Sequence, residues 1–337
     1  MSLEAVASAV PALHQTVEEI AAQCDADVEF VRTKVGVAGR YIMGPGETGI
    51  GLADAACTKL FTQTDLTAAD IGLLVFVTQN PDRRLPNNAA GLAHALGLPK
   101  TVASFDLSLG CSGFVYGLSV TEAFLQAHGI ENALLVTCDP YSRIMAPEDK
   151  ATNAVFGDAA TATLVTRSGT RSALSGLDFG TDGGGGDAIR IDAGGAAAPL
   201  VALDTGDGLQ TGDRDAHRLI MEGRAVFNFV NATIPSSIAN SLTKADLTLD
   251  DIDWFALHQG SEYMLDSLAR RSRIPGEKVL KNIATYGNTV SSTIPLLVEQ
   301  LLAQGKLDSR SRVLISGFGV GLSWATGVLT FSGANDD

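Results

Sequence analysis

The sequence repeats itself at the scale of half its length. The heptapeptide 65–71 (DLTAADI) returns as 246–252 (DLTLDDI), about 180 positions further on. Each copy leads into an apolar strand pattern, LLVFV in the first half and WFAL in the second. The strand pattern ALLVT at 133–137 returns as VLISG at 313–317. Between these landmarks, Gly110-Cys111 and the small-residue helix after it match Gly287-Asn288 and TVSSTIPLL. Three landmarks in order and in register imply duplication of a domain-sized unit, not a solenoid. Strand and helix patterns alternate in each half. That predicts an α/β fold of two pseudo-symmetric halves, residues 1–170 and 171–337, each on a largely parallel sheet.

The stretch from Ser104 to His128 (SFDLSLGCSGFVYGLSVTEAFLQAH) reads as a short strand, a tight turn at Gly110-Cys111 and a buried helix. Cys111 stands where strand gives way to helix. The first N–H groups of a helix lack intrahelical partners, and the helix dipole is positive there. Such a position can lower a cysteine pKa from about 8.5 to roughly 3.5–7.5. Two readings follow: a nucleophilic thiolate, or a buried structural cysteine. Cys57 sits in an apolar helix pattern (49–61) and Cys138 at a strand end, so both read as structural.

Around this unit the patterns predict a strand at 2–10 and helices at 17–24, 26–34 and 49–61. They predict a strand at 71–77, a Pro-rich loop at 79–88 and a helix running on to Leu96. Strands follow at 132–137 and 159–166, with a polar loop over 141–153 between them. Residues 180–213, rich in Gly, Asp and Ala, read as a surface excursion, partly β.

Composition narrows the function. Apolar residues make up 45% of 337 and charged residues 18%, as in a soluble protein with a sizeable core. No apolar run reaches the length of a membrane span, and the N-terminus lacks a basic signal-peptide start. A net charge of −14 argues against nucleic acid and anionic membrane as partners. The four cysteines show no paired spacing, which fits a reduced, cytoplasmic setting. No metal-ligand spacing and no GxGxxG motif appear.

The duplication also predicts geometry. A pseudo-two-fold axis brings equivalent strand ends together, so Asn288 should lie near Cys111. His258 follows the strand pattern WFAL, at the end where α/β sheets collect their chemistry. Taken alone, His258 reads equally as a satisfied polar residue. Together, Cys111, His258 and Asn288 are expected around one cavity.

These residues resemble the thiolase-fold condensing enzymes, most closely the β-ketoacyl-acyl-carrier-protein synthase III family. The resemblance covers almost the whole chain. It is carried by DLSLGCSGFVYGLS, HQGS, YGNTVSSTIP and GFGVGLSW, with VRTKVGVAGRYI and FGDAATATLV in support. It implies a duplicated thiolase-like fold with αβαβα layering. It also implies an acyl-enzyme at Cys111, made from an acyl thioester such as acyl-CoA. The Cys111 and Val320 N–H groups would form an oxyanion hole. His258 and Asn288 would hold the carbonyl of a malonyl thioester, on acyl carrier protein or coenzyme A, through decarboxylative Claisen condensation. No metal, flavin or nicotinamide is implied, and a homodimer is, with loop 79–88 crossing to the partner.

The chain departs from the family where substrates are held. The resemblance puts Phe30 where a Trp stacks on adenine, and Lys150 where an Arg meets phosphate. Ser261 replaces an Asn and Tyr263 a carrier-protein-docking Arg. Val320 replaces a Gly, so a positive φ there would be costly. Leu85 and Phe156 match pocket-lining positions. Arg214, Arg218 and Arg224 form a basic set that could receive an acidic carrier protein or simply be a solvated helix face. The departures leave open a transferase that passes the acyl group to an amine or hydroxyl, and an idle partner subunit of a heterodimer.

Overall fold

Each half folds its strand patterns into one sheet and stacks helices on both faces. The computed structural model describes residues 1–198 and 214–332. The strands of the first half are β1 (Ser2–Ala9), β2 (Leu13–Thr16), β3 (Gly39–Ile42), β4 (Leu73–Val77), β5 (Ala103–Leu107), β6 (Asn132–Cys138) and β7 (Ala160–Thr166). Those of the second are β8 (Ser172–Thr181), β9 (Ile189–Arg190), β10 (Ile220–Met221), β11 (Trp254–Leu257), β12 (Arg312–Gly319) and β13 (Ser323–Phe331). The helices are α1 (Val17–Gln23), α2 (Val28–Phe30), α3 (Gly49–Phe61), α4 (Asn88–Ala95), α5 (Gly113–His128), α6 (Lys150–Asn153), α7 (Gly223–Lys244), α8 (Glu262–Ser272), α9 (Ile283–Tyr286) and α10 (Thr293–Ala303).

The first sheet has the order β1-β7-β6-β4-β5 and the second β8-β13-β12-β11. The orders correspond strand for strand. A single parallel bridge, Phe255 to Val279, takes the place of β5 in the second sheet. Directions correspond as well. β4–β6 and β11–β12 are parallel, while β7 and β13 run antiparallel to both their neighbours. The sheets are therefore mixed, not largely parallel. Residues 139–159 hold only short helical turns, without a long helix to carry the chain back for a parallel strand.

Burial on both faces explains the continuous apolar runs. In β4 all five residues are buried. Leu74 and Phe76 face α3 and α4, whereas Leu73, Val75 and Val77 face α5 and α10 between the sheets. α7 and α8 cover the far side of the second sheet, packing Val230, Ile238 and Leu268 against Phe255 and Leu314. The result is the five-layered αβαβα arrangement. The small residues of α5 let it sit close to the sheet. A Cβ at Gly117 would meet Leu135 Cδ1 at 2.7 Å, and one at Gly113 would collide with Val77.

The expected 26–34 helix is one α turn followed by a π-helical turn, Val31–Val35. The 180–213 excursion contains a 3-10 segment, Gly183–Ala188, and β9, which pairs with β10. Its residues 199–213 lie outside the described residues. Among the described residues no helix is long and apolar enough to cross a membrane.

Candidate active site

The two central helices, α5 and α10, begin on either side of a cavity of about 730 Å³. Cys111, His258 and Asn288 all line it. Each is nearly buried, at 6%, 3% and 4% exposure respectively. Cys111 lies in the turn between β5 and α5, closed by a 2.8 Å bond from the Gly113 N–H to the Gly110 carbonyl. The glycine-rich end of β12 packs directly over it. A Cβ at Gly317 would sit 2.5 Å from the Cys111 carbonyl oxygen, and only glycine permits that approach. The backbone N–H groups of Val320 and of Cys111 itself act on the thiol in the direction that favours a thiolate.

Burial sets the protonation states. It pushes the Cys111 thiol up to about 12, with the nearby Asp139 charge adding to the effect. The two N–H groups oppose this without overcoming it. Burial thus outweighs the helix-start setting that was expected to favour a thiolate, and favours the neutral thiol. Burial also pushes His258 down to about 3, so its imidazole is neutral. Cys111 and His258 form a neutral thiol–imidazole set, not an ion pair.

His258 follows β11, and its N–H bonds the Ser316 carbonyl at 2.9 Å, continuing the parallel register. Its ring meets Phe318 edge-on, with centroids 5.6 Å apart. Nδ1 lies 2.8 Å from Thr293 Oγ1, and Nε2 lies 3.5 Å from Asn288 Nδ2. Asn288 is pinned by its backbone: its N–H bonds the Val155 carbonyl at 2.9 Å, and its carbonyl accepts from Gly157. Asn288 Oδ1 accepts the Val290 N–H at 2.9 Å, so the amide turns its NH₂ toward the cavity.

Two site residues escaped sequence reasoning. Thr293 was one hydroxyl in a run of four, TVSST, with nothing to mark which one turns to the imidazole. Asp139, 1% exposed at the end of β6, accepts bonds from Ser291 Oγ (2.5 Å), the Gln79 N–H (2.7 Å) and Thr78 Oγ1 (3.4 Å). Burial raises it to about 6. It ties the end of the first sheet to the Asn288 loop. A lone Asp after a strand pattern carried no signal of that role.

Comparison with known proteins decides the family. Residues 105–183 match the profile described as 3-Oxoacyl-[acyl-carrier-protein (ACP)] synthase III, and residues 242–331 match its C-terminal counterpart. A β-ketoacyl-[acyl-carrier-protein] synthase III from Streptomyces coelicolor is 35% identical over 319 residues, covering 94% of this chain and 89% of the relative. The chain belongs to the β-ketoacyl-acyl-carrier-protein synthase III family. A 2.1 Å crystal structure of a 3-oxoacyl-(acyl-carrier-protein) synthase III superposes with a TM-score of 0.89 at 34% identity, covering 98% of this chain and 99% of that one. A synthase from Burkholderia xenovorans LB400 gives 0.89 at 31% identity, covering 98% and 93%. The chain is thus a condensing enzyme of the acyltransferase type, on a thiolase-like fold.

The mouth of the cavity is lined from α2, the π turn, α6 and the start of α8. The π turn brings Phe30, Lys34 and Val35 into the cavity wall. Lys150 Nζ sits 4.3 Å above the centre of the Phe30 ring, so these two residues form one platform. Ser261 lines the mouth but also caps α8, accepting the Met264 N–H at 3.2 Å. Tyr263 stacks on Phe227, with centroids 5.4 Å apart. Phe156 is buried in the wall against Tyr141.

Three expectations meet the structure here. Leu85 does not line the cavity of its own chain. It is 86% exposed on the 79–88 loop, whose Asp82 accepts the Gly49 and Ile50 N–H groups at the start of α3 and so turns the tip outward. Val320 has no positive φ, because Gly321 takes the unusual conformation (φ 136°). The three arginines share no helix face. Arg214 begins a short 3-10 turn, Arg218 donates to the Met145 carbonyl at 2.8 Å, and Arg224 is exposed in the first turn of α7. Among the described residues no three His, Cys, Asp or Glu side chains form a metal-binding cluster.

Proposed function

We propose that Cys111 carries the acyl group of an acyl-CoA, and that His258 and Asn288 then drive its decarboxylative condensation with a malonyl thioester. One observation carries this reading: Cys111, His258 and Asn288 line one cavity, with Asn288 Nδ2 turned to His258 Nε2.

Cys111 Sγ attacks the donor carbonyl as its proton passes to His258 Nε2. The Val320 and Cys111 N–H groups hold the tetrahedral oxyanion. The donor C–S bond breaks, and the departing sulfur takes a proton from solvent at the mouth. A malonyl thioester follows, and its carboxylate offsets the charge on the protonated ring. Its thioester oxygen accepts bonds from Asn288 Nδ2 and the His258 Nε2–H. The C–CO₂ bond breaks, and its electron pair forms the enolate. The enolate carbon attacks the acyl carbonyl and expels Cys111 sulfur, which recovers its proton from His258. This sequence draws on sulfur, imidazole and amide groups alone, and calls for no metal, flavin or nicotinamide.

At the mouth, the Phe30–Lys150 platform with Lys34 suits the adenine and phosphates of coenzyme A. Arg224, exposed at the α7 rim, suits an acidic acyl carrier protein bearing the malonyl group. A homodimer is supported by the unpaired outer edge of β5 and by exposed Leu85 on loop 79–88. Four free cysteines fit a cytoplasmic setting.

The test is intact-mass analysis after incubation with a panel of acyl-CoAs, followed by malonyl-carrier protein and measurement of CO₂. The expected result is one adduct on the native chain, none on Cys111→Ala, and CO₂ release with a β-ketoacyl product. An adduct persisting on Cys111→Ala, or acyl transfer to an amine without CO₂, would overturn the reading.

A further inference from the structure

Thr293 begins α10 and is 1% exposed, yet its hydroxyl belongs to the site. Its Oγ1 lies 2.8 Å from His258 Nδ1 and 3.0 Å from the Val290 carbonyl oxygen. A hydroxyl has one proton to give, and a carbonyl can only accept. With the Thr293 proton given to Val290, the ring nitrogen donates at the other contact, and the Val290 backbone, itself hydrogen-bonded to His258, favours a proton on the ring. The opposite side of the ring agrees. Asn288 Oδ1 is occupied by the Val290 N–H, so the amide directs its NH₂ at His258 Nε2. A donor facing Nε2 suits a nitrogen with a free lone pair.

Val290 links both contacts through its own peptide groups, N–H to Asn288 and C=O to Thr293. It holds a φ of 55°, a left-handed conformation uncommon for any β-branched residue. The unusual backbone is what aims the two groups in opposite directions.

We propose that Thr293 is a positioning residue that fixes neutral His258 in its Nδ1–H form, leaving Nε2 bare toward Cys111. The proposal rests on the roles given above to Cys111 and His258. It supplies what acylation requires, because a neutral thiol can pass its proton only to an unprotonated nitrogen. The ring that results keeps Thr293 as acceptor behind Nδ1 while Nε2–H faces the substrate. The hydrogen bond at one ring nitrogen thereby selects the chemistry of the other.

The test is ¹⁵N NMR of histidine-labelled protein near neutral pH, with His258 assigned by the signals missing from His258→Ala. Single-turnover acylation is measured alongside. In the native enzyme Nδ1 is expected to carry the proton and Nε2 none. Thr293→Val keeps the shape without the hydroxyl. It should lose this tautomer preference and acylate about tenfold more slowly at unchanged donor KM. Thr293→Ser should restore both. A native His258 protonated at Nε2 overturns the proposal, as does a tautomer that survives in Thr293→Val or a rate that Thr293→Ser fails to recover. Should Thr293→Val not fold, the native spectrum and Thr293→Ser still decide. Failure of the native enzyme to acylate at Cys111 would instead sink the functional reading and leave the tautomer measurement standing.

Discussion

A methyl group on Gly319 would sit 2.8 Å from Cys111 Sγ and 2.9 Å from its Cβ. The end of β12 thus closes on Cys111 as tightly as a glycine allows, with Val320 the next residue along the chain. Gly319→Ala must push either this segment or Cys111 aside. Overpacking of this kind costs about 1–3 kcal/mol, or roughly 5- to 150-fold if it falls on the acylation step. Single-turnover acylation should fall within that range, and any part of the strain that does not fall on this step should appear as a lowered Tm. Acylation at the native rate would mean that the segment moves freely and does not hold the oxyanion.

The state of the thiol makes a second prediction. A Cys111 pushed up to about 12 by burial is a thiol throughout the neutral range. Its alkylation by iodoacetamide should quicken about tenfold per pH unit from pH 7 to beyond pH 9 without levelling off. A plateau already present near pH 7 would identify a resting thiolate. The rate is read as loss of acylation, so the other three cysteines do not contribute.

Much of this site was legible because it was written twice. The paired heptapeptides and the two glycine turns placed Asn288 opposite Cys111, and WFAL placed His258 at a strand end. What escaped depended on contacts and connections that only the fold supplies. The thiol's pKa is set by burial, with Asp139 adding to it, and that burial exists only once the end of β12 packs over the Cys111 turn. Thr293 and Asp139 are ordinary polar residues until the fold supplies their partners, His258 in one case and Ser291 in the other. The direction of β7 was hidden because it depends on a connection, 139–159, that walls the cavity instead of forming a crossover helix. The outward turn of loop 79–88, which leaves Leu85 exposed, was not legible in the resemblance.

Asp139 and His258 should oppose one another in the pH dependence of stability. Asp139 is raised to about 6 from 3.8, so between these values the folded chain holds the extra proton. Its contribution to stability falls as pH rises through that window. His258 is lowered to about 3 from 6.5, so there the unfolded chain holds the extra proton. Its contribution is full above 6.5 and is lost as pH falls toward 3. Each slope is at most about 1.4 kcal/mol per pH unit, and the two offset each other between about pH 4 and 6. Asp139→Asn should therefore lose stability more steeply than the native protein from pH 6 to pH 4. His258→Ala should lose less, or gain. Urea unfolding at each pH measures both, and parallel curves for all three proteins would refute the assignment.

The last prediction separates the two chemical steps at Asn288. Acylation needs the sulfur, a proton acceptor and the backbone N–H groups, none of which Asn288 supplies. Decarboxylation places charge on a thioester oxygen, where Asn288 offers Nδ2. Losing one such donor costs about 10²–10³ in rate. Asn288→Ala should therefore acylate at close to the native rate and release CO₂ from a malonyl thioester on the order of a hundredfold more slowly. It also removes the Oδ1 that accepts the Val290 N–H, so a second variant is needed to isolate the donor. Asn288→Asp keeps an oxygen for Val290 and replaces the donor with an acceptor. Its CO₂ release should fall at least as far, although the loop remains anchored. Acyl transfer and CO₂ release are measured separately, by intact mass and by labelled malonyl thioester. If Asn288→Asp released CO₂ normally, Asn288 would be an anchor for the Val290 turn, and His258 would have to stabilise the enolate alone.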